Sequence, residues 1–139
     1  MTDPRHILVV DDQQDILELT STVLAGAGYR VTTASSGAEC LRALVRHPVD
    51  LVLLDINMPE MDGWETLRLI RADDAMRDVP VVMFSVKGEM RDKVHGMQEG
   101  ALDYITKPFE VDTLLLRIRR IFESVGCSGP APPAPGPVP

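Results

Sequence analysis

Near its middle the chain reads Leu51-Val52-Leu53-Leu54-Asp55, four apolar residues that run directly into a carboxylate. Such a short, wholly apolar run is typical of a strand that is buried on both faces of a sheet. Four further runs are β-prone or apolar: His6 to Val10, Tyr29 to Ala34, Val79 to Phe84 and Leu102 to Ile105. The sequence therefore predicts five strands.

Segments with helical spacing alternate with these strands. Their apolar residues recur every three or four positions, which predicts five helices over 14–27, 36–45, 63–70, 91–98 and 111–122. Ser36, with Glu39 three residues later, is the expected N-cap of the second helix. Gly96 weakens the fourth helix, since glycine has a low helix propensity. We expect an α/β fold, a doubly wound five-stranded parallel sheet in the order 2-1-3-4-5.

The composition is that of an ordinary globular domain, with 139 residues, 45% hydrophobic and 25% charged. A net charge of −7 argues against direct binding of nucleic acid or an anionic membrane, which requires clustered Lys and Arg. Cys40 and Cys127 lack zinc or disulfide spacing. With no signal peptide, they indicate a cytoplasmic protein. No apolar run approaches the roughly 18 residues that cross a bilayer.

The composition changes after Val125. Residues 126–139 are almost all Gly, Pro, Ala and Ser and carry no charged side chain. Such a segment cannot bury enough apolar surface to fold. We therefore assign residues 1–125 to the folded domain and 126–139 to a tail, which is either a linker to another domain or a disordered end.

Polar residues stand where the predicted strands end: Asp11 and Asp12, Asp55, Ser85 and Lys107. The carboxyl ends of parallel strands share one edge, so these residues are expected in one pocket. Three carboxylates packed together repel one another unless a proton or a cation holds them. Oxygen ligands suit Mg²⁺ or Mn²⁺. We expect Asp12 and Asp55 to bind this metal directly and Asp11 to bind it through water.

This set of groups suits phosphoryl transfer. Asp55 would act as the nucleophile and form an acyl phosphate. The metal and Lys107 would neutralise the phosphoryl oxygens, and Ser85 would donate a hydroxyl. Each part alone has an ordinary explanation, since an Asp-Asp pair can cap a helix and Lys-Pro can be a loop. The joint arrangement is what points to this chemistry.

Longer motifs carry a resemblance to a known family. The chain from about His6 to Ser124 resembles the receiver domain of two-component response regulators, the CheY-like branch of the flavodoxin-like fold. The matching stretches are Ile7-Leu8-Val9-Val10-Asp11-Asp12, Leu53-Leu54-Asp55-Ile56-Asn57-Met58-Pro59-Glu60-Met61-Asp62-Gly63, Pro80-Val81-Val82-Met83-Phe84-Ser85 and Ala101-Leu102-Asp103-Tyr104-Ile105-Thr106-Lys107-Pro108-Phe109.

The resemblance implies a role for each site residue. Asp55 would be the phosphoacceptor, Asp11 and Asp12 the metal-binding acids, and the backbone carbonyl of Asn57 a further metal ligand. Lys107 would contact the phosphoryl group, Ser85 and Tyr104 would form the switch pair, and Pro108 would follow a cis peptide bond.

The resemblance also implies the partners. The phosphodonor would be a sensor histidine kinase or a phosphotransfer protein, and the output would be an effector that the sequence does not identify. Such a domain is not an enzyme, because it catalyses only its own phosphotransfer and dephosphorylation. Val86 departs from the family pattern, which has a small residue after Ser85, and this predicts an altered lifetime of the phosphoryl group.

Three other functions would need different residues or leave the site unused. An aspartyl-phosphate hydrolase would need a second Asp two residues after the nucleophile, where the chain has Asn57. A flavin-binding electron carrier would need a Gly- and hydroxyl-rich loop after the first strand, where Asp11 and Asp12 would repel phosphate. A protein-interaction module that works without phosphorylation on the same fold stays open as the alternative.

Overall fold

The computed structural model describes residues 4–85, 98, 100–106 and 109–125. The chain divides into two units, Met1–Pro108 and Phe109–Pro139. The first unit contains the strands β1 His6–Val10, β2 Arg30–Ala34, β3 Leu51–Asp55, β4 Val81–Ser85 and β5 Asp103–Thr106. Its described helices are α1 Gln14–Gly26, α2 Gly37–Arg46 and α3 Gly63–Ala72. The second unit contains α4, Val111–Val125.

The strands form one sheet in the order β2-β1-β3-β4-β5. Every neighbouring pair is parallel, and the register places Val10 beside Leu54 and Asp55 beside Phe84. The predicted sheet and its order are confirmed. The strand order reverses between β1 and β3, and in open sheets of this kind ligands bind outside the carboxyl ends of the strands at that point.

Burial explains why the strands are so apolar. All five residues of β1 and of β3 are buried. Leu54 and Val10 belong to one core cluster that also includes Leu67 and Ile70 of α3. Each such side chain contributes about 1.5–3 kcal/mol when it is removed from water. By contrast, β2 lies at the edge and keeps two exposed positions.

Side chains cap the starts of α2 and α3. The Ser36 hydroxyl accepts a hydrogen bond from the Glu39 amide at 3.1 Å, which confirms the predicted N-cap of α2. The Asp62 carboxylate accepts one from the Glu65 amide at 2.9 Å and caps α3 in the same way. These bonds satisfy backbone amides that have no partner within the helix.

The part of the chain that the structure describes contains four helices, whereas the sequence predicts five. Apart from Gln98, the predicted helix over 91–98 lies outside the described residues, as does the predicted tail over 126–139. In α4, buried residues recur every four positions at Leu114, Ile118 and Phe122, as the periodicity predicts. Among the described helices, none combines the length and apolar character needed to cross a membrane.

Candidate phosphoacceptor site

Three aspartates meet at the carboxyl edge of the sheet. One carboxylate oxygen each from Asp11, Asp12 and Asp55 lies within 4.8 Å of the other two. The register accounts for this, because Val10 pairs with Leu54 and the next residues of the two strands are Asp11 and Asp55. The side chains of Asp11 and Asp55 are buried, whereas that of Asp12 is exposed. The cluster therefore reaches solvent through Asp12.

The charges of the cluster set its chemistry. Negative charges a few ångströms apart raise the free energy of the folded state, and burial strengthens their repulsion. A divalent cation removes that repulsion, and carboxylate oxygens are the ligands that Mg²⁺ and Mn²⁺ prefer. The donor set in this structure therefore fits the predicted metal.

Backbone hydrogen bonds hold the first aspartate in place. The amide of Asp11 donates to the carbonyl of Ala34 at 3.1 Å, at the end of β2. The carboxylate of Asp11 accepts from the amide of Gln13 at 2.9 Å. Both bonds form immediately before α1, so the side chain is oriented by the turn that joins β1 to the helix.

Among the other predicted residues that the structure describes, Ser85 lies at the same edge. Ser85 is the last residue of β4 and directly follows Phe84, the partner of Asp55. Tyr104 lies in β5 with its side chain buried, and its amide donates to the Asp103 carboxylate at 2.8 Å. Asn57 is exposed in the segment that follows β3. The remaining predicted site residues, Lys107 and Pro108, lie outside the described residues, as does Val86.

A short loop returns the chain from Asp55 to the start of α3. The amide of Gly63 donates to the carbonyl of Ile56 at 2.8 Å, and that of Met61 donates to the carbonyl of Pro59 at 2.8 Å. Glu60 has a φ of 68°, in the left-handed region that residues other than glycine seldom adopt. The loop thus closes tightly on the end of β3.

Comparison with known proteins decides the family. The family model described as response regulator receiver domain matches residues 7–119. The chain belongs to this family. This match confirms the resemblance seen in the sequence. Receiver domains of two-component response regulators are signalling phosphoacceptor domains rather than conventional enzymes.

Curated relatives of this receiver domain include longer transcriptional regulators. Transcriptional regulatory protein KdpE of Mycobacterium tuberculosis is 42% identical over 113 residues, which are 81% of this chain and 49% of the relative. DNA-binding dual master transcriptional regulator RpaA of Synechocystis is 38% identical over 116 residues, which are 84% of this chain and 48% of the relative. The receiver domain thus spans about half the length of these relatives.

Solved structures show the same fold. The chemotaxis protein CheY4 of Vibrio cholerae is 32% identical with a TM-score of 0.81, over 85% of this chain and 98% of that one. The receiver domain of NtrX from Brucella abortus is 36% identical with a TM-score of 0.79, over 85% of this chain and 98% of that one.

Sequence reasoning gave no role to three residues at the start of α3 in this receiver domain: Asp62, Gly63 and Thr66. Thr66 is fully buried, and its hydroxyl donates to the carbonyl of Asp62 at 2.9 Å. The cap could have been found, because Asp62 with Glu65 three residues later matches a capping signature. The role of Gly63 has no local signal, since it depends on which backbone lies beside it.

Proposed function

We propose that this receiver domain accepts a phosphoryl group on Asp55 from a phosphohistidine donor and thereby switches its binding to a partner. The observation that carries the proposal is the meeting of Asp55 with Asp11 and Asp12, whose carboxylate oxygens lie within 4.8 Å of one another. Asp55 is the last residue of the buried strand β3, so its main chain is held by the sheet.

In the proposed reaction a carboxylate oxygen of Asp55 attacks the phosphorus of the donor. The phosphorus–nitrogen bond of the phosphohistidine breaks, the imidazole leaves with that electron pair, and an acyl phosphate forms on Asp55. Asp11, Asp12, Asp55 and the backbone carbonyl of Asn57 would hold a Mg²⁺ or Mn²⁺ ion. When bound, this ion supplies positive charge that stabilises the phosphoryl oxygens. Lys107 would contact the same oxygens.

The response would pass through Ser85 and Tyr104. In this proposal the Ser85 hydroxyl moves towards the phosphoryl oxygens, and the ring of Tyr104 turns into the space that it leaves. The burial of Tyr104 and the position of Ser85 at the end of the neighbouring strand support this pairing. The segment 91–98, predicted from the sequence as the fourth helix, would shift with the pair.

Partners follow from the family. The donor would be a sensor histidine kinase or a phosphotransfer protein, and hydrolysis of the acyl phosphate by the domain itself would end the signal. The curated relatives are transcriptional regulators, which suggests transcription as the process controlled, through an effector rather than through direct nucleic-acid binding by the acidic receiver. The cytoplasmic location stays a prediction.

Phosphorylation of the purified full chain tests the proposal. With Mg²⁺ and a small phosphodonor such as acetyl phosphate, mass spectrometry should show the gain of one phosphoryl group, and chelation of the metal should abolish it. Asp55→Asn should gain none. Asp74→Asn, at an almost fully exposed carboxylate in another loop, is the matched control and should react like the wild type. A wild-type chain that gains no phosphoryl group would favour the interaction module that works without phosphorylation.

A further inference from the structure

The first turn of α3 packs directly against the main chain of the proposed phosphoacceptor. A methyl group added at the Cα of Gly63 would overlap the carbonyl oxygen of Asp55 and would lie 2.7 Å from the Cα of Ile56. Both neighbours are main-chain atoms, so rotation of a side chain cannot make room. Any larger residue at this position must displace either α3 or the peptide between Asp55 and Ile56.

Space, not backbone conformation, is the reason for glycine here. Gly63 is the first residue of α3 and does not have the positive φ seen at Gly28 and Gly100. Its amide also donates to the carbonyl of Ile56 at 2.8 Å. The contact with the Asp55 carbonyl limits how closely α3 approaches β3, and the hydrogen bond to Ile56 orients the first turn of α3. Together, the contact and the hydrogen bond fix the position of the Asp55–Ile56 peptide against α3.

The helix itself is firmly held, so it cannot yield easily. Leu67 and Ile70 are fully buried in the core. Thr66 donates from both its amide, at 3.0 Å, and its hydroxyl, at 2.9 Å, to the carbonyl of Asp62. The core holds α3 through Leu67 and Ile70, and the neighbouring strands hold β3 on both sides. A methyl group at Gly63 would therefore strain the Asp55–Ile56 peptide, where the strand ends, and displace the carboxylate of Asp55 there.

We propose that Gly63 is a positioning residue for phosphoryl transfer, which holds Asp55 in the geometry that lets it share a cation with Asp11 and Asp12. The proposal rests on the proposed function of Asp55. Substitutions that disturb the support of a metal ligand commonly weaken metal binding by about 10–100-fold. A comparable loss is expected here, because the carbonyl of Asn57, two residues after Asp55, would be displaced as well.

The test compares Gly63→Ala with two control variants of the full chain. Gly26→Ala adds the same methyl group at the last residue of α1, where nothing lies within 4 Å. Ile70→Val trims a buried side chain of α3 two turns further on and lowers stability without touching Asp55. Calorimetry with Mg²⁺ alone should show at least a tenfold higher dissociation constant for Gly63→Ala, and wild-type values for both controls. Phosphorylation by acetyl phosphate at saturating Mg²⁺ should also be slower for Gly63→Ala alone.

The outcomes separate this proposal from the one on which it rests. If Gly63→Ala binds Mg²⁺ and is phosphorylated like Ile70→Val, Gly63 does not position Asp55. If even the wild type is not phosphorylated, the proposed function fails, while the Mg²⁺ affinities still decide whether Gly63 positions the cluster. Should Gly63→Ala not fold, a backbone ester at Gly63 removes the hydrogen bond to Ile56 without adding volume. It should weaken Mg²⁺ binding, and an unchanged affinity would overturn the proposal.

Discussion

At position 86 the chain carries Val directly after Ser85, where receiver domains usually have Ala or Gly. The extra methyl groups should crowd the approach of water to a phosphoryl group on Asp55. We therefore predict that Val86→Ala speeds dephosphorylation, by roughly two- to fivefold if the barrier falls by about 0.5–1 kcal/mol. The decay of the phosphorylated chain can be followed by mass spectrometry. Val45→Ala, at a side chain of α2 that is 77% exposed, is the control, and equal decay in all three proteins would refute the prediction.

Cys40 shows what burial alone does to a single residue. Its thiol is completely buried in α2, and burial raises its pKa to about 12. An unfolded cysteine has a pKa of about 8.5. Since the raised pKa belongs to the folded state, the thiol contributes a stability that is fully present below about pH 8.5 and is lost as the pH rises towards 12.

The prediction from Cys40 is a difference between two pH profiles. From about pH 9 upward, the wild type should lose up to about 1.4 kcal/mol of unfolding free energy per pH unit relative to Cys40→Ala, because only the wild-type unfolded chain gains this thiolate. Urea unfolding at several alkaline pH values measures the difference, and the other titrating groups, Cys127 included, are common to both proteins. Parallel profiles would show that folding does not raise the pKa of the Cys40 thiol.

Among the elements, α3 is tied to its neighbours through one side chain near its end. The guanidinium of Arg71 donates to the carbonyls of Arg77 and Val79 at 2.8 Å each and to that of Gly100 at 2.7 Å. Burial lowers the pKa of Arg71, and the charge of Asp78 opposes this. The side chain thus joins α3 to the segment before β4 and to the turn before β5.

Loss of this guanidinium should loosen both connections. Arg71→Met keeps most of the aliphatic stem but leaves three carbonyls without their donor, and we predict a destabilisation of about 1–3 kcal/mol in urea unfolding. The control is Arg77→Met, because among the residues that the structure describes the Arg77 guanidinium pairs with the solvent-exposed Asp74, at 3.7 Å. Exposed pairs of this kind add little stability, so no measurable change is expected. Equal losses of unfolding free energy in the two variants would show that the hydrogen bonds of Arg71 add no more stability than the exposed pair of Arg77.

The two capped helices show how far local sequence can predict an element. The spacing of Ser36 and Glu39 correctly predicted the start of α2, and the same spacing of Asp62 and Glu65 would have predicted the start of α3. The bonds of Arg71 could not be anticipated, because Gly100 is 29 residues away along the chain. The same limit applies to Gly63, whose neighbours are known only when β3 and α3 are brought together.

For the molecule as a whole, alternation of apolar strands and helices was enough to predict the sheet, its order and the edge at which the aspartates meet. Parallel strands leave few ways to arrange such a chain, which is why a pattern in the sequence determines so much. What the pattern cannot supply is burial: Asp11 and Asp55 are buried while Asp12 is exposed. That difference decides how strongly the cluster acts on the stability of the fold.

The cluster should make the stability of the receiver domain depend on metal. Without a cation, three close carboxylates repel, so Asp55→Asn should raise the unfolding free energy by on the order of 1 kcal/mol in EDTA. In saturating Mg²⁺ the wild type gains stability from binding, and the variant gains less because one charged ligand is missing. The advantage of the variant should therefore shrink or reverse. Urea unfolding of both proteins in the two buffers measures this, with Asp74→Asn as the control that should show no such dependence. If Asp55→Asn keeps the same advantage in both buffers, Asp55 is not part of a metal site.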